Sequence, residues 1–108
     1  MIFKIDAALL EAIVLAVVSA DDIYGYKITR EMRGIMELSD STLYPVLRRL
    51  KKYGLLDSYD MEYKGKLRCY YKITENGKTQ LEQYRAEWSA YCAKIDGIFD
   101  KAFIKEAK

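Results

Sequence analysis

A chain of 108 residues, half of them apolar and a third charged, is long enough for one modest core and too apolar to stay disordered. It has no histidine, which excludes histidine-based triads and metal sites, and no glycine pattern that suits a phosphate loop. No enzyme, cofactor or metal is therefore expected.

The net charge of +2 hides an asymmetry. Residues 1–38 carry four Lys/Arg against six Asp/Glu, residues 39–73 carry eight against four, and residues 74–108 balance at six each. A central cationic block suits a polyanionic partner, although a merely solvated basic face has the same composition. Cys69 and Cys92 stand far apart with no CxxC spacing, so two free thiols in a reducing compartment are the simpler reading than a disulfide framework. The apolar run from Ala7 to Val18 is too short to span a bilayer and is interrupted by Glu11, and no strong basic segment precedes it as in a signal peptide. A cytoplasmic protein with no membrane partner is expected.

Asp6 is an N-cap for a first helix running to about Ser19. Leu9, Leu10, Ile13, Val14, Val17 and Val18 make this helix apolar nearly all round, and such a helix must be covered on more than one face. A domain this small has little to cover it with, so a second copy of the chain is expected. A second helix follows from about Tyr24 to Arg33, with Ile28 and Met32 on one stripe and Gly34 placed as a left-handed cap. Ser39 caps a third helix that runs to about Tyr53, with Gly54 just beyond it. Leu43, Leu47 and Leu50 supply its inner stripe beside Val46. Pro45 lies inside it, removes one hydrogen bond to the Ser41 carbonyl and should bend it.

Leu55–Tyr63 and Leu67–Ile73 flank Lys64-Gly65-Lys66 and read as a β-hairpin. Thr74 then caps a last helix of about thirty residues, weakened locally by Gly77 and Gly97. Leu81, Tyr84, Trp88, Tyr91, Ile95, Ile98 and Ala102 are spaced alternately by three and four, which is an a/d seam. The seam and the apolar first helix should build a homodimer interface through Leu81, Tyr84, Trp88, Tyr91, Ile95 and Ile98.

Helices followed at once by a basic hairpin define a mainly α (α+β) winged helix-turn-helix with a two-stranded wing and a long C-terminal dimerisation helix. Residues 1–73 form the DNA-binding domain, whose first helix also joins the dimer interface, and residues 74–108 the dimerisation helix. A recognition helix presents its N-terminal half to the major groove of double-stranded DNA. Here that half offers Ser39, Ser41, Thr42 and Tyr44, followed by Arg48 and Arg49, while Lys64, Lys66 and Arg68 are expected to touch the backbone from the wing. Hydroxyls at a helix start are most often simple caps, so the conjunction of basic helix and basic hairpin carries the reading. The rival is a winged-helix module for protein–protein contact without specific DNA binding.

These residues resemble the PadR family of winged-helix regulators over essentially the whole chain. The likeness rests on Tyr24-Gly25-Tyr26, on the run from Ser41 to Leu50, on Gly54-Leu55-Leu56, and on Arg68 through Gly77. It implies a homodimer, repression of nearby genes, and release of DNA when a small molecule binds. The single long C-terminal helix is similar to the short-tailed branch of LmrR-like multidrug sensors, in which a tryptophan of each chain stacks on flat aromatic drugs. Trp88, followed by Ser89, matches that tryptophan, and Tyr91, Ile13 and Leu10 are candidates to line the same space for a small aromatic effector. Two departures stand out. Cys92 replaces an acidic residue that follows the tryptophan, and Cys69 stands in the wing where a basic residue is common.

Overall fold

The structure, a computed structural model, describes residues 3–106. Helix α1 spans Ala7–Ala20 and opens at Asp6, whose side chain accepts a hydrogen bond from the Leu9 N–H at 2.9 Å. Strand β1 follows at Ile23–Tyr24, then α2 at Gly25–Glu31 and α3 at Asp40–Lys52. Strands β2 (Leu56–Tyr63) and β3 (Lys66–Ile73) lead into α4 at Glu75–Glu106. The fold is a winged helix-turn-helix with a long C-terminal helix, and its sheet is antiparallel in the order β1-β3-β2.

β2 and β3 form the expected two-stranded wing, and β1 adds a short third strand at its base that the sequence did not suggest. This strand consists of two residues, Ile23 paired with Tyr71 and Tyr24 with Tyr70, and it takes Tyr24 out of the second helix. The second helix is correspondingly shorter than the sequence suggests. Its end also differs: α2 closes on Met32 in a right-handed conformation, and Gly34 is not among the left-handed residues. Gly54, by contrast, takes φ 76° directly after α3 and sends its N–H to the Lys51 carbonyl, as a helix-terminating glycine should.

The core is built where three helices meet the base of the sheet. Leu10, Val14, Leu15 and Val18 of α1 pack with Ile28 and Met32 and with Leu43, Val46, Leu47 and Leu50 of α3, all essentially removed from solvent. Leu56 and Ile23 close the group from the sheet. Every apolar residue of the α3 stripe is therefore buried, and α3 continues through Pro45. The hairpin turns on Lys64 (φ 50°) and Gly65 (φ 79°), and positive φ at both central residues is the two-residue turn that matches strand twist.

Helix α4 is seated at its start. The Thr74 hydroxyl donates to the Gly54 carbonyl at 2.6 Å and accepts from the Gly77 N–H at 2.9 Å, tying the end of α3 to the first turn of α4. Gly77 is required there by space: a Cβ would overlap the Leu55 carbonyl. The glycine read from sequence as a weak point is thus the contact that seats the helix. Leu81 and Tyr84 reach the core, and beyond them Trp88, Tyr91, Ile98, Phe99 and Phe103 stand exposed along a rod that gives the chain a 66 Å long axis.

Candidate nucleic-acid interface

The sequence places hydroxyls at the start of α3, and the structure gathers them. Ser39 Oγ lies 3.0 Å from Ser41 Oγ and 3.1 Å from Thr42 Oγ1, all three on exposed residues. Ser39 occupies the N-cap, but its side chain makes no capping bond to the helix backbone. Its hydroxyl belongs to an outward-facing polar cluster instead. Asp40 opens the helix beside them, an acidic residue that sequence reasoning passed over. A carboxylate there complements the positive helix end.

Tyr44 and Arg48 continue this face. The Tyr44 phenol lies across Gly25, its oxygen 2.6 Å from where a Cβ on that glycine would sit, and the residue stays 38% exposed. Arg48 is exposed one turn on, near Tyr71 of β3. Burial, reinforced by Cys69, holds the Tyr71 hydroxyl protonated up to about pH 12, Arg48 pulling weakly the other way.

Two of the arginines expected at DNA make contacts within the chain. Arg49 turns inward: its Nε donates to Glu11 Oε1 at 2.9 Å, an ion pair that links α3 to α1 and is only partly open to solvent. Helical spacing puts it a step of 100° from Arg48, which suffices to turn one arginine outward and the next toward α1. Arg68 is also engaged. Its guanidinium carbon lies 4.0 Å from the Tyr24 ring centroid and 4.0 Å from that of Tyr63. At the wing tip Lys64, Lys66 and Leu67 are exposed, Leu67 to 76%; the Lys64 ammonium lies 5.3 Å from the Tyr63 ring centroid, and Arg68 borders the same surface hollow as the two lysines. Leu67 was missed from sequence because an apolar residue in a strand reads as core. Register shows otherwise: it pairs with Glu62 at the free end of the hairpin, beyond the reach of the helices.

A second concave region lies between α1 and α4. One hollow of about 440 Å³ is lined by Leu9, Ile13, Leu81, Tyr84 and Trp88, and a neighbouring one of about 570 Å³ by Leu9, Trp88, Tyr91 and Ile95. Trp88 is the ridge shared by both, 6.3 Å from Tyr91 between ring centroids. Leu10 does not line either; it is buried in the core, and Leu9, one helical step away, takes the place expected for it. Burial and the nearby Glu11 and Glu87 raise the Tyr84 hydroxyl above its ordinary range.

A helix-turn-helix followed by a basic β-hairpin defines the winged-helix class. Residues 14–83 match the model of the transcriptional regulator PadR-like family, and the chain belongs to that family. These are transcription regulators rather than enzymes. The chain is similar to the protein smu.1704 of Streptococcus mutans UA159, with 41% identity, a TM-score of 0.87 and coverage of 93% of this chain and 94% of that one. It is 34% identical over 93 residues to an uncharacterized protein of Lysinibacillus sphaericus, covering 81% of this chain and 84% of that one. The fold also matches Bacillus subtilis PadR, whose crystal structure is of a complex with operator DNA, at a TM-score of 0.65 and 22% identity over 70% of this chain and 46% of that one. No described helix is long and apolar enough to cross a membrane.

Proposed function

We propose that this PadR-like regulator acts in the cytoplasm as a homodimeric repressor, binding operator DNA through the exposed face of α3 and the tip of the wing. The observation that supports the reading is that Ser39, Ser41, Thr42, Tyr44 and Arg48 are all exposed on or at the start of α3, and that Lys64 and Lys66 are exposed at the tip of the hairpin. Hydroxyls and one arginine on a groove-sized rod suit base edges, while lysines on a narrow ribbon suit phosphates. The operator complex of Bacillus subtilis PadR supports the same use of the fold.

Residues 1–73 serve as the DNA-binding domain and 74–108 as the pairing element. The row of exposed apolar side chains from Trp88 to Phe103 supports dimerisation, since a lone chain rarely leaves so long an apolar stripe in water. A flat aromatic molecule held at Trp88, between α1 and the α4 helices, would then alter the separation of the two recognition helices and release the operator. Leu9, Ile13 and Tyr91 join Trp88 in that role.

Binding of the purified protein to the DNA upstream of its own gene, compared with scrambled duplex over a salt series, tests the reading. Operator preference with a steep negative salt slope is expected. Equal affinity for both duplexes would leave only a winged-helix module for protein contact.

A further inference from the structure

The outer face of the sheet carries a ladder of rings that the DNA-contacting reading leaves unused. Tyr59 stacks on Tyr70 at 5.6 Å between centroids and 12° between planes, and Tyr70 meets Tyr24 edge to face at 5.6 Å. Arg68 continues the row, over both Tyr24 and Tyr63. The Tyr59 hydroxyl fixes the far end by donating to Asp22 Oδ2 at 2.7 Å. Strand order puts β3 in the middle, so Tyr24 approaches the guanidinium from β1 and Tyr63 from β2.

Tyr24 is also the N-cap of α2, the first helix of the helix-turn-helix, whereas Tyr63 is the last residue of β2 before the turn. The guanidinium therefore spans the joint between the body of the domain and the wing tip. A two-stranded ribbon extending past its helices is marginally ordered by itself. A planar cation packed on two rings is the kind of contact that can fix its angle.

We propose that Arg68 is a positioning residue: it clamps the wing against the start of α2, so that Lys64 and Lys66 meet the duplex already aligned, and it is not itself a phosphate ligand. This rests on the DNA-binding reading above, yet the clamp acts in the free protein. Lysine should replace arginine poorly in it: an ammonium can approach one ring, as Lys64 approaches Tyr63, but lacks the planar faces that pack on two. A phosphate contact, by contrast, would tolerate lysine.

The test uses Arg68→Gln, Arg68→Lys and Tyr63→Leu in the full chain, read by amide hydrogen exchange without DNA and by operator titration over a salt series. All three variants should speed exchange at residues 60–68 while leaving the core amides protected. Each should weaken operator binding about tenfold with the salt slope unchanged, because the cost is one of ordering the wing. Restoration of binding by Arg68→Lys, with the Arg68→Gln slope shallower by about one, would make Arg68 a phosphate ligand and overturn the proposal. Wing amides as protected in Arg68→Gln as in the unaltered chain would overturn it too. Failure of the unaltered protein to bind duplex DNA would remove the operator reading, and exchange would still decide whether the clamp exists.

Discussion

The phenol oxygen of Tyr44 lies 2.6 Å from the position a Cβ would take on Gly25, with two further ring atoms within 3.3 Å. Those two residues come from separate motifs, one at the start of α2 and one in the recognition helix, and the missing side chain of the first is the space filled by the second. Gly25 does not have positive φ, so alanine is allowed by its backbone and is a better helix former. The clash with Tyr44 alone should decide the outcome. Gly25→Ala is expected to cost about 1 kcal/mol where Tyr44 is present and to be neutral or stabilising in a Tyr44→Ala background. Denaturant unfolding of the four proteins of this cycle measures it. The same displacement of the phenol should weaken operator binding.

Neighbouring arginines should behave oppositely. Arg48→Ala removes a side chain from the exposed face, so stability should hold within about 0.5 kcal/mol while specific binding falls by about 1–3 kcal/mol. Arg49→Ala leaves Glu11, whose side chain is 19% exposed, without its partner. A loss of about 1 kcal/mol in stability is expected, the pair being partly open to solvent. Thermal melts paired with DNA titrations separate the two, and equal melting temperatures for both variants would remove the assigned role of the ion pair.

Alkaline titration offers an independent view of the sheet. A hydrogen bond to Asp22 raises the Tyr59 hydroxyl to about 12, and burial raises Tyr71 to about 12, against 10 in an unfolded chain. Both groups hold their protons more tightly when folded. The stabilisation they give is complete below pH 10 and is lost as the pH climbs from 10 toward 12. Absorbance of tyrosinate should show a late-titrating fraction, and Tyr59→Phe should reduce that fraction and flatten the loss of stability in this window. Titration of all tyrosines near pH 10 would contradict the Asp22 contact.

Trp88 is 47% exposed in the single chain and forms the ridge between the two hollows of α1 and α4. Its truncation to alanine should weaken self-association and the binding of flat aromatic dyes, followed by the dye's own fluorescence because Trp88 is the one tryptophan of the chain, with DNA contact altered only through the pairing of chains. Sedimentation and fluorescence titration read the two effects. Unchanged results in both would take Trp88 out of the interface and of the effector site together.

Much of this architecture is legible in the residues because it is encoded locally. The α3 stripe of Leu43, Leu47 and Leu50, the Asp6 cap and the turn at Gly65 depend on neighbours a few positions away. What sequence hides is the distant partner. Ile23 and Tyr24 become a strand only by pairing with Tyr71 and Tyr70. Arg49 is a cation on a basic helix until Glu11, 38 positions away, turns it inward. Arg68 likewise reads as a wing charge, and only the return of β1 to the sheet supplies the Tyr24 ring that occupies it. Charge type was readable in each case, and direction was not.

Gly77 shows the same limit and yields the sharpest stability test. By propensity a glycine in the first turn of a helix is a weakness, and alanine should improve it by up to about 1 kcal/mol. The Leu55 carbonyl reverses that expectation, since a methyl group at residue 77 would meet backbone, which cannot rotate away as the Tyr44 ring can. Leu55 is itself fixed, its N–H bonded to the Leu50 carbonyl and its own carbonyl to the Thr74 N–H. Relief requires α4 to lift from the end of α3, at the cost of the two Thr74 bonds that seat it. Gly77→Ala should therefore destabilise by about 2–3 kcal/mol, where Gly97→Ala, with open space around it, should be neutral or stabilising. Urea midpoints for the two variants decide between propensity and packing. A stabilising shift in Gly77→Ala would mean that α4 is not held at Leu55.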